Sequence, residues 1–186
     1  MATRPLELSE YKKIIELFLT GFKTDGGNVF RSNNQIALAL QLQASLGLRI
    51  GDVLNLKVNN FKNGKMEITE DKTNKLQYRE INPNVYNCIK DYAIENNLSP
   101  VSKLFNVKIR AVQKQLKLIT NYLGLENIST HSFRKLYATT VYENNRHNLE
   151  LVKELLNHTS IATTQRYIRV SQDAINKASA EVDFFV

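Results

Sequence analysis

Residues 65–81 read KMEITEDKTNKLQYREI, and this stretch decides the fold class. KMEIT and LQYREI are short extended segments. Between them lies a polar run carrying the turn pair Thr73-Asn74, and Asn63-Gly64 stands before the first. Short runs bounded by such residues read as hairpin strands, because asparagine and glycine accept the positive φ of tight turns. We therefore predict a small antiparallel sheet across Val58 to Ile81, with Lys72 at a hairpin tip. On both sides the pattern becomes helical. Upstream, Ser9 reads as the cap of a helix over 10–20 that turns Ile14, Ile15, Leu17 and Phe18 inward. A loop over 21–31 turns at Gly26-Gly27-Asn28. A second helix starts near Asn34, runs through Ile36, Leu38, Leu40 and Leu42, and stops near Gly47. LRIGDVLNL then predicts a short helix burying Ile50, Val53 and Leu54. Downstream, Asn82-Pro83 restarts the helix, with Val85, Cys88, Ile89 and Tyr92 on one face, which places Cys88 in the core. Asn106 reads as the cap of a basic helix ended by Gly124. Further helices are expected over 132–142, 148–156, 161–167 and 172–182. The fold class is mainly α with a small antiparallel β-sheet (α+β), in a single domain over 1–186.

Twenty-five Lys and Arg against eighteen Asp and Glu leave a formal charge of +7, which favours a polyanionic partner. Between positions 103 and 117 the chain carries Lys103, Lys108, Arg110, Lys114 and Lys117 and no acid. That segment reads as a helix able to lie along a phosphate backbone. No apolar run approaches the roughly 20 residues that span a bilayer. The start, MATRPLELSEYKK, lacks the layout of a secretory signal. A lone cysteine forms no internal disulfide and suits a reducing compartment, so cytoplasm is the expected location.

Four stretches carry the chemistry. SLGLRIGDVLNLK places Arg49 after a glycine, with Asp52 one turn later; the hairpin presents Lys72. STHSFRKLYATT holds His131 and Arg134 three apart at a helix start, on one face. NHTSIATTQRYIR holds His158 nine residues before Tyr167. Two guanidinium forks can grip one phosphodiester and stabilise its pentavalent state. Arginines and a histidine crowded around a tyrosine favour its phenolate. A mobile lysine can protonate a leaving alkoxide. The product would be a phosphotyrosine that conserves the broken bond's energy.

These residues resemble the catalytic domain of the tyrosine recombinases, the phage-integrase family, over essentially the whole chain. The resemblance rests on Arg49 in GLRIGDVLNL, Lys72 in the hairpin, His131 and Arg134 in HSFR, His158 in LLNH and Tyr167 in TTQRY, in the expected order. It implies that Arg49 and Arg134 hold the scissile phosphate and that Lys72 is the general acid. His131 would assist proton transfer, His158 would bond a phosphate oxygen, and Tyr167 would be the nucleophile. Lys75 competes with Lys72, whose position fits the family pattern better. Asn157 stands where glycine is usual, as the residue after glycine best able to turn left-handed. Asp52 stands for the more frequent glutamate, as an orienting partner for Arg49.

The resemblance further implies double-stranded DNA as partner, no metal, ATP or other cofactor, and a tetramer on DNA from a free monomer. On DNA the protein would be nucleoid-associated. Lys75, Lys103, Lys108, Arg110, Lys114 and Lys117 are the candidate DNA contacts. The additional N-terminal clamp domain usual in the family is expected to be absent or removed. The tail over 171–186 is read as an inter-subunit element, with Phe184 and Phe185 docking on a neighbour or folding back in cis.

Taken singly, each residue has an ordinary explanation, such as a surface Arg49–Asp52 pair or a Tyr167 packed at a helix end. Six in one ordered template are far harder to reach by chance. A type IB topoisomerase shares the covalent step but usually has lysine where His131 stands. A DNA-binding module that has lost activity would keep the fold alone. A metal-dependent nuclease finds no ligand cluster around Asp52 and Asp71.

Overall fold

A computed structural model describes residues 3–24, 26–168, 176 and 179–183. In chain order it contains α1 (Leu8–Thr20), a hairpin of β1 (Phe22–Lys23) and β2 (Val29–Phe30), α2 (Asn34–Leu46) and α3 (Ile50–Asn55). A sheet of β3 (Phe61–Lys62), β4 (Lys65–Thr69) and β5 (Leu76–Glu80) follows. The remainder is α4 (Pro83–Glu95), α5 (Ile109–Tyr122), α6 (Thr130–Asn144), α7 (Leu149–Leu155) and α8 (Ile161–Gln165). Among these helices none is long and apolar enough to cross a membrane.

The centre is α2, which is apolar nearly all round and accordingly buries Ile36, Ala37, Leu38, Ala39, Leu40 and Leu42. Against it pack α1, α3 and α6. The core they close contains Ile14, Phe18, Leu48, Ile119 and Phe133, each fully shielded. A side chain of that size contributes roughly 1.5–3 kcal/mol when buried. The Asn33 side chain caps α2 by accepting from the Ile36 amide.

The three-stranded sheet has the predicted antiparallel order, with Lys65 opposite Glu80 and Thr69 opposite Leu76. Its alternation turns Met66, Ile68 and Gln77 inward and Glu67 and Tyr78 outward. Asn63 and Gly64 both take positive φ at the first turn, as a tight hairpin requires. Arg79 knots the sheet to the helices. Its guanidinium donates to the carbonyls of Leu46 and Leu155 and to the Tyr137 hydroxyl.

Several boundaries differ from expectation. Glu7, not Ser9, starts α1: its amide donates to the Glu10 carboxylate at 2.9 Å, and Arg4 fixes that carboxylate at 2.6 Å. Residues 21–31 hold a hairpin whose Phe22 stacks on Phe30 and on Tyr122. Lys108, not Asn106, occupies the cap position of α5, and the Asn106 amide donates to Gln35 Oε1 instead. Lys103 and Lys108 thus precede the basic helix. Cys88 is exposed, because α4 directs Ile89 and Ala93 to the core and leaves its neighbour on the flank. Ser129 caps α6, so that helix begins two residues early and takes His131 into its first turn. Most of the helix expected over 172–182, and the docking residues Phe184 and Phe185, lie outside the described residues.

Gly47 ends α2 with φ 64°, and an added Cβ would lie 2.4 Å from the Tyr137 ring. Only glycine satisfies both the left-handed turn and this contact. Gly47→Ala is expected to lower the unfolding free energy by about 2–4 kcal/mol, measured by urea denaturation.

Candidate active site

The site is assembled around Glu70. Sheet alternation runs Met66, Ile68, Glu70 on the inward face, so the chain leaves β4 with a carboxylate pointing into the protein. Glu70 has no exposed surface. Arg49 Nη1 lies 2.5 Å from its Oε2 and Arg134 Nη1 lies 3.9 Å from its Oε1. The Thr73 hydroxyl donates to Oε2 at 2.8 Å and Gln77 Nε2 donates to Oε1 at 2.7 Å. Two guanidinium groups from distant parts of the chain therefore flank one carboxylate. Arg49 reaches it from the extended cap residue of α3, and Arg134 from the buried face of α6.

Arg134 is the largest fully shielded side chain among the described residues. Its Nη2 donates to the Leu156 carbonyl at 2.7 Å and lies 3.5 Å from His158 Nε2. Its Nε and Nη1 have no hydrogen-bond partner within the protein. Burial, then the charge of Arg49, brings its pKa down to about 10, so it stays cationic at neutral pH.

His158 follows Asn157, which has the positive φ (52°) expected of it. The imidazole is buried, with Nδ1 3.1 Å from the Thr164 hydroxyl. Burial and the charges of Arg134 and Arg49 hold its pKa down at about 4. Tyr167, just past the end of α8, sets its ring centroid 4.6 Å from that of His158. Lys135 Nζ stands 5.6 Å over the same tyrosine ring. The ring packs beside Ala138, Val152 and Leu156, a small apolar cluster apart from the main core.

His131 stands at the exposed rim, yet partial desolvation and then the charges of Arg134, Lys135, Arg49 and Lys72 lower its pKa. Lys72 and Lys75 are exposed at the hairpin tip; the charge of Lys72 is felt at His131 and that of Lys75 at His158. Arg49, Arg134, His158 and Tyr167 are thus linked by contacts, and His131 and both hairpin lysines lie within electrostatic reach of them.

Asp52 does not pair with Arg49 as expected. It is buried, and its Oδ1 accepts from the Asp71 amide at 3.0 Å, while burial raises its pKa. The ion-pair partner of Arg49 is Glu70, which the sequence reading passed over; its inward place in the β4 alternation was the available signal. Lys103 Nζ donates to Asn55 Oδ1 at 2.7 Å, and Asn55 in turn donates to Asp71. Arg110, Lys114 and Lys117 are exposed on α5, whose Val112, Leu116 and Ile119 face the core. Among the described residues no group of three His, Cys, Asp or Glu side chains is placed to hold a metal ion.

With this fold and cluster in hand, comparison with known proteins assigns the class. Residues 9–173 match the phage integrase family, and the chain belongs to it. A probable integrase/recombinase of Acholeplasma phage L2 is 30% identical over 189 residues, covering 90% of this chain and 59% of that protein. This chain therefore spans less than two thirds of that relative's length. Among solved structures, the XerH site-specific recombinase bound to its palindromic difH substrate superimposes with a TM-score of 0.74 at 24% identity. The alignment covers 95% of this chain and 52% of XerH. The catalytic domain of bacteriophage HP1 integrase gives 0.67 at 16% identity, over 96% of this chain and 95% of that domain. These two likenesses concern the fold.

The depressed His158 pKa makes stability depend on pH. Between its ordinary value of 6.5 and about 4, the unfolded chain binds a proton that the folded chain does not. Stability from this group is present above pH 6.5 and is lost as the pH falls towards 4. Denaturation midpoints are expected to drop between pH 7.5 and 5, with a shallower drop in His158→Gln.

Proposed function

We propose that this chain is the catalytic part of a tyrosine recombinase that cleaves and rejoins double-stranded DNA through a 3′-phosphotyrosyl link at Tyr167. The observation that carries the reading is the meeting of Arg49 and Arg134 at one carboxylate, with His158 against Arg134 and Tyr167 against His158. Two fixed cations that bear on one carboxylate suit the non-bridging oxygens of a single phosphodiester. Arg134 Nε and Nη1, which make no hydrogen bond within the protein, are donors for such an anion, and they cost stability until one is bound.

The reaction is an in-line displacement. The Tyr167 oxygen attacks phosphorus, forming the O–P bond as the bond from phosphorus to the 5′ oxygen breaks. Lys72 gives a proton to the departing 5′ oxygen, and His131, neutral at pH 7, takes the phenolic proton. Arg49, Arg134 and an Nε2–H of His158 stabilise the charge that builds on the non-bridging oxygens. That donation requires the Thr164 hydroxyl to turn its proton to His158 Nδ1, 3.1 Å away, rather than to the Ser160 carbonyl. Reversal with a different 5′ hydroxyl joins the strands anew.

Lys75, Lys103, Lys108, Arg110, Lys114 and Lys117 supply the phosphate-backbone contacts. Lys108 and Arg110 stand at the start of α5, where cations oppose the helix dipole, an arrangement that a bound phosphate relieves. XerH is described in complex with its difH substrate, and a paired-site tetramer on DNA is the assembly we infer for this chain.

The test is capture from a pool of nicked duplexes with randomised cores, in which a cleaved strand diffuses away and leaves DNA attached to protein. The wild-type chain is expected to retain label through denaturation, in excess chelator and without ATP. Tyr167→Phe is expected to bind equally and retain none. Arg49→Ala or Arg134→Ala is expected to slow adduct formation by about 10²–10³-fold. A wild-type chain that binds DNA without ever forming the adduct would sink the reading. Affinity is expected to fall steeply between 50 and 200 mM salt, by roughly 10³-fold or more if six phosphates are contacted.

A further inference from the structure

The proposed reaction uses Arg49 and Lys72 on one phosphate, yet they come from different elements, α3 and the β4–β5 hairpin. Something must hold the two in register. Lys72 lies at an exposed tip, where a long side chain on a loose backbone would sample many positions. Its two neighbours are both anchored. Before it, the Asp71 amide donates to Asp52 Oδ1 and the Asp71 carboxylate accepts from Asn55 Nδ2. After it, Thr73 donates its hydroxyl to Glu70 Oε2 at 2.8 Å. That same oxygen carries the ion pair with Arg49 at 2.5 Å. One carboxylate oxygen therefore joins the hairpin tip to the arginine. The Glu70 backbone closes the tip as well, its carbonyl accepting from the Asn74 amide and its amide donating to the Lys75 carbonyl.

We propose that Glu70 is a positioning residue, which fixes the Lys72 hairpin on Arg49 so that the proton donor meets the leaving oxygen. This rests on the recombinase reading above. Glu70 has no exposed surface and so does not touch DNA. It works through its neighbours. When DNA is bound, Arg49 gains a second anion, the phosphate, and keeps its place without Glu70. Thr73 gains nothing comparable. The defect left by removing Glu70 therefore falls on protonation of the leaving group.

That defect has a chemical signature. A 5′ oxygen needs a proton to leave, whereas a 5′ sulfur in a bridging phosphorothiolate leaves as a stable thiolate without one. Glu70→Gln keeps the side-chain volume and removes the charge; Thr73→Val removes only the hydroxyl on the hairpin side and leaves the arginines paired. The probe is the duplex that the wild-type chain captures from the randomised pool, made with oxygen or with sulfur at the bridging position. Both variants are expected to slow adduct formation at least tenfold on the oxygen duplex and less than threefold on the sulfur duplex, with DNA affinity unchanged within threefold. Equal loss on the two duplexes, or no loss on either, overturns the proposal.

A second measurement needs no DNA. Amide hydrogen exchange on the whole chain is expected to speed up at least tenfold across residues 71–75 in both variants, while α2 keeps its protection. Unchanged exchange at the tip overturns the proposal by itself. If the wild-type chain forms no adduct with either duplex, the recombinase reading fails, and exchange alone decides whether Glu70 and Thr73 order the hairpin.

Discussion

A single buried carboxylate holds two arginines that would otherwise repel each other. Arg49 and Arg134 both bear on Glu70, and Glu70 and Arg134 are buried while Arg49 keeps part of its surface in water. Without an anion there, burying Arg134 would be very costly, because desolvation of a charge far exceeds the worth of an ordinary contact. Hence the pair cannot be separated from the sheet that supplies Glu70, nor that sheet from α2, whose terminal carbonyl receives Arg79. The polar centre and the apolar core are one construction, and the first dictates where the second must close.

Electrostatics then shape the histidines. Burial, and then a field of cations, pushes both His131 and His158 towards the neutral form. Neutral imidazoles near fixed guanidinium groups leave the positive charge on residues that cannot lose it at physiological pH. A site built this way keeps its attraction for anions constant while retaining groups able to pass protons. The positive charge outside the site is more diffuse: exposed lysines and an arginine along α5, set on a helix whose opposite face is plainly apolar.

Much of this was legible in the residues. The Gly47 stop, the Asn82-Pro83 start and the alternation of KMEIT are local signals, and α2, α4 and the three-stranded sheet follow them. Caps were harder, because the start of α1 is chosen by Arg4 reaching Glu10, an interaction invisible to a reading of caps alone. Two-residue strands such as β1 and β2 are too short to show a period; their stability comes from Phe22 stacking on Tyr122, 100 positions away. Cys88 went wrong because a helix face drawn from four apolar residues was too wide, and only Ile89 of those four is buried. Of the site, the six polar residues could be picked out by type and order. For Glu70 the residues offered only an inward place in the β4 alternation; its bond to Arg49, spanning 21 residues, is a property of the folded chain.

The aromatic side of the site is fastened differently from its cationic side. Ala138, Val152 and Leu156 form an apolar patch separate from the main core, and the carbonyls of Leu155 and Leu156 are tied down by Arg79 and Arg134. So slight an attachment can unlatch at a fraction of the free energy that holds α1, α2 and α6 together. Local opening of that patch, which carries the phenol, therefore needs less free energy than opening of the main core.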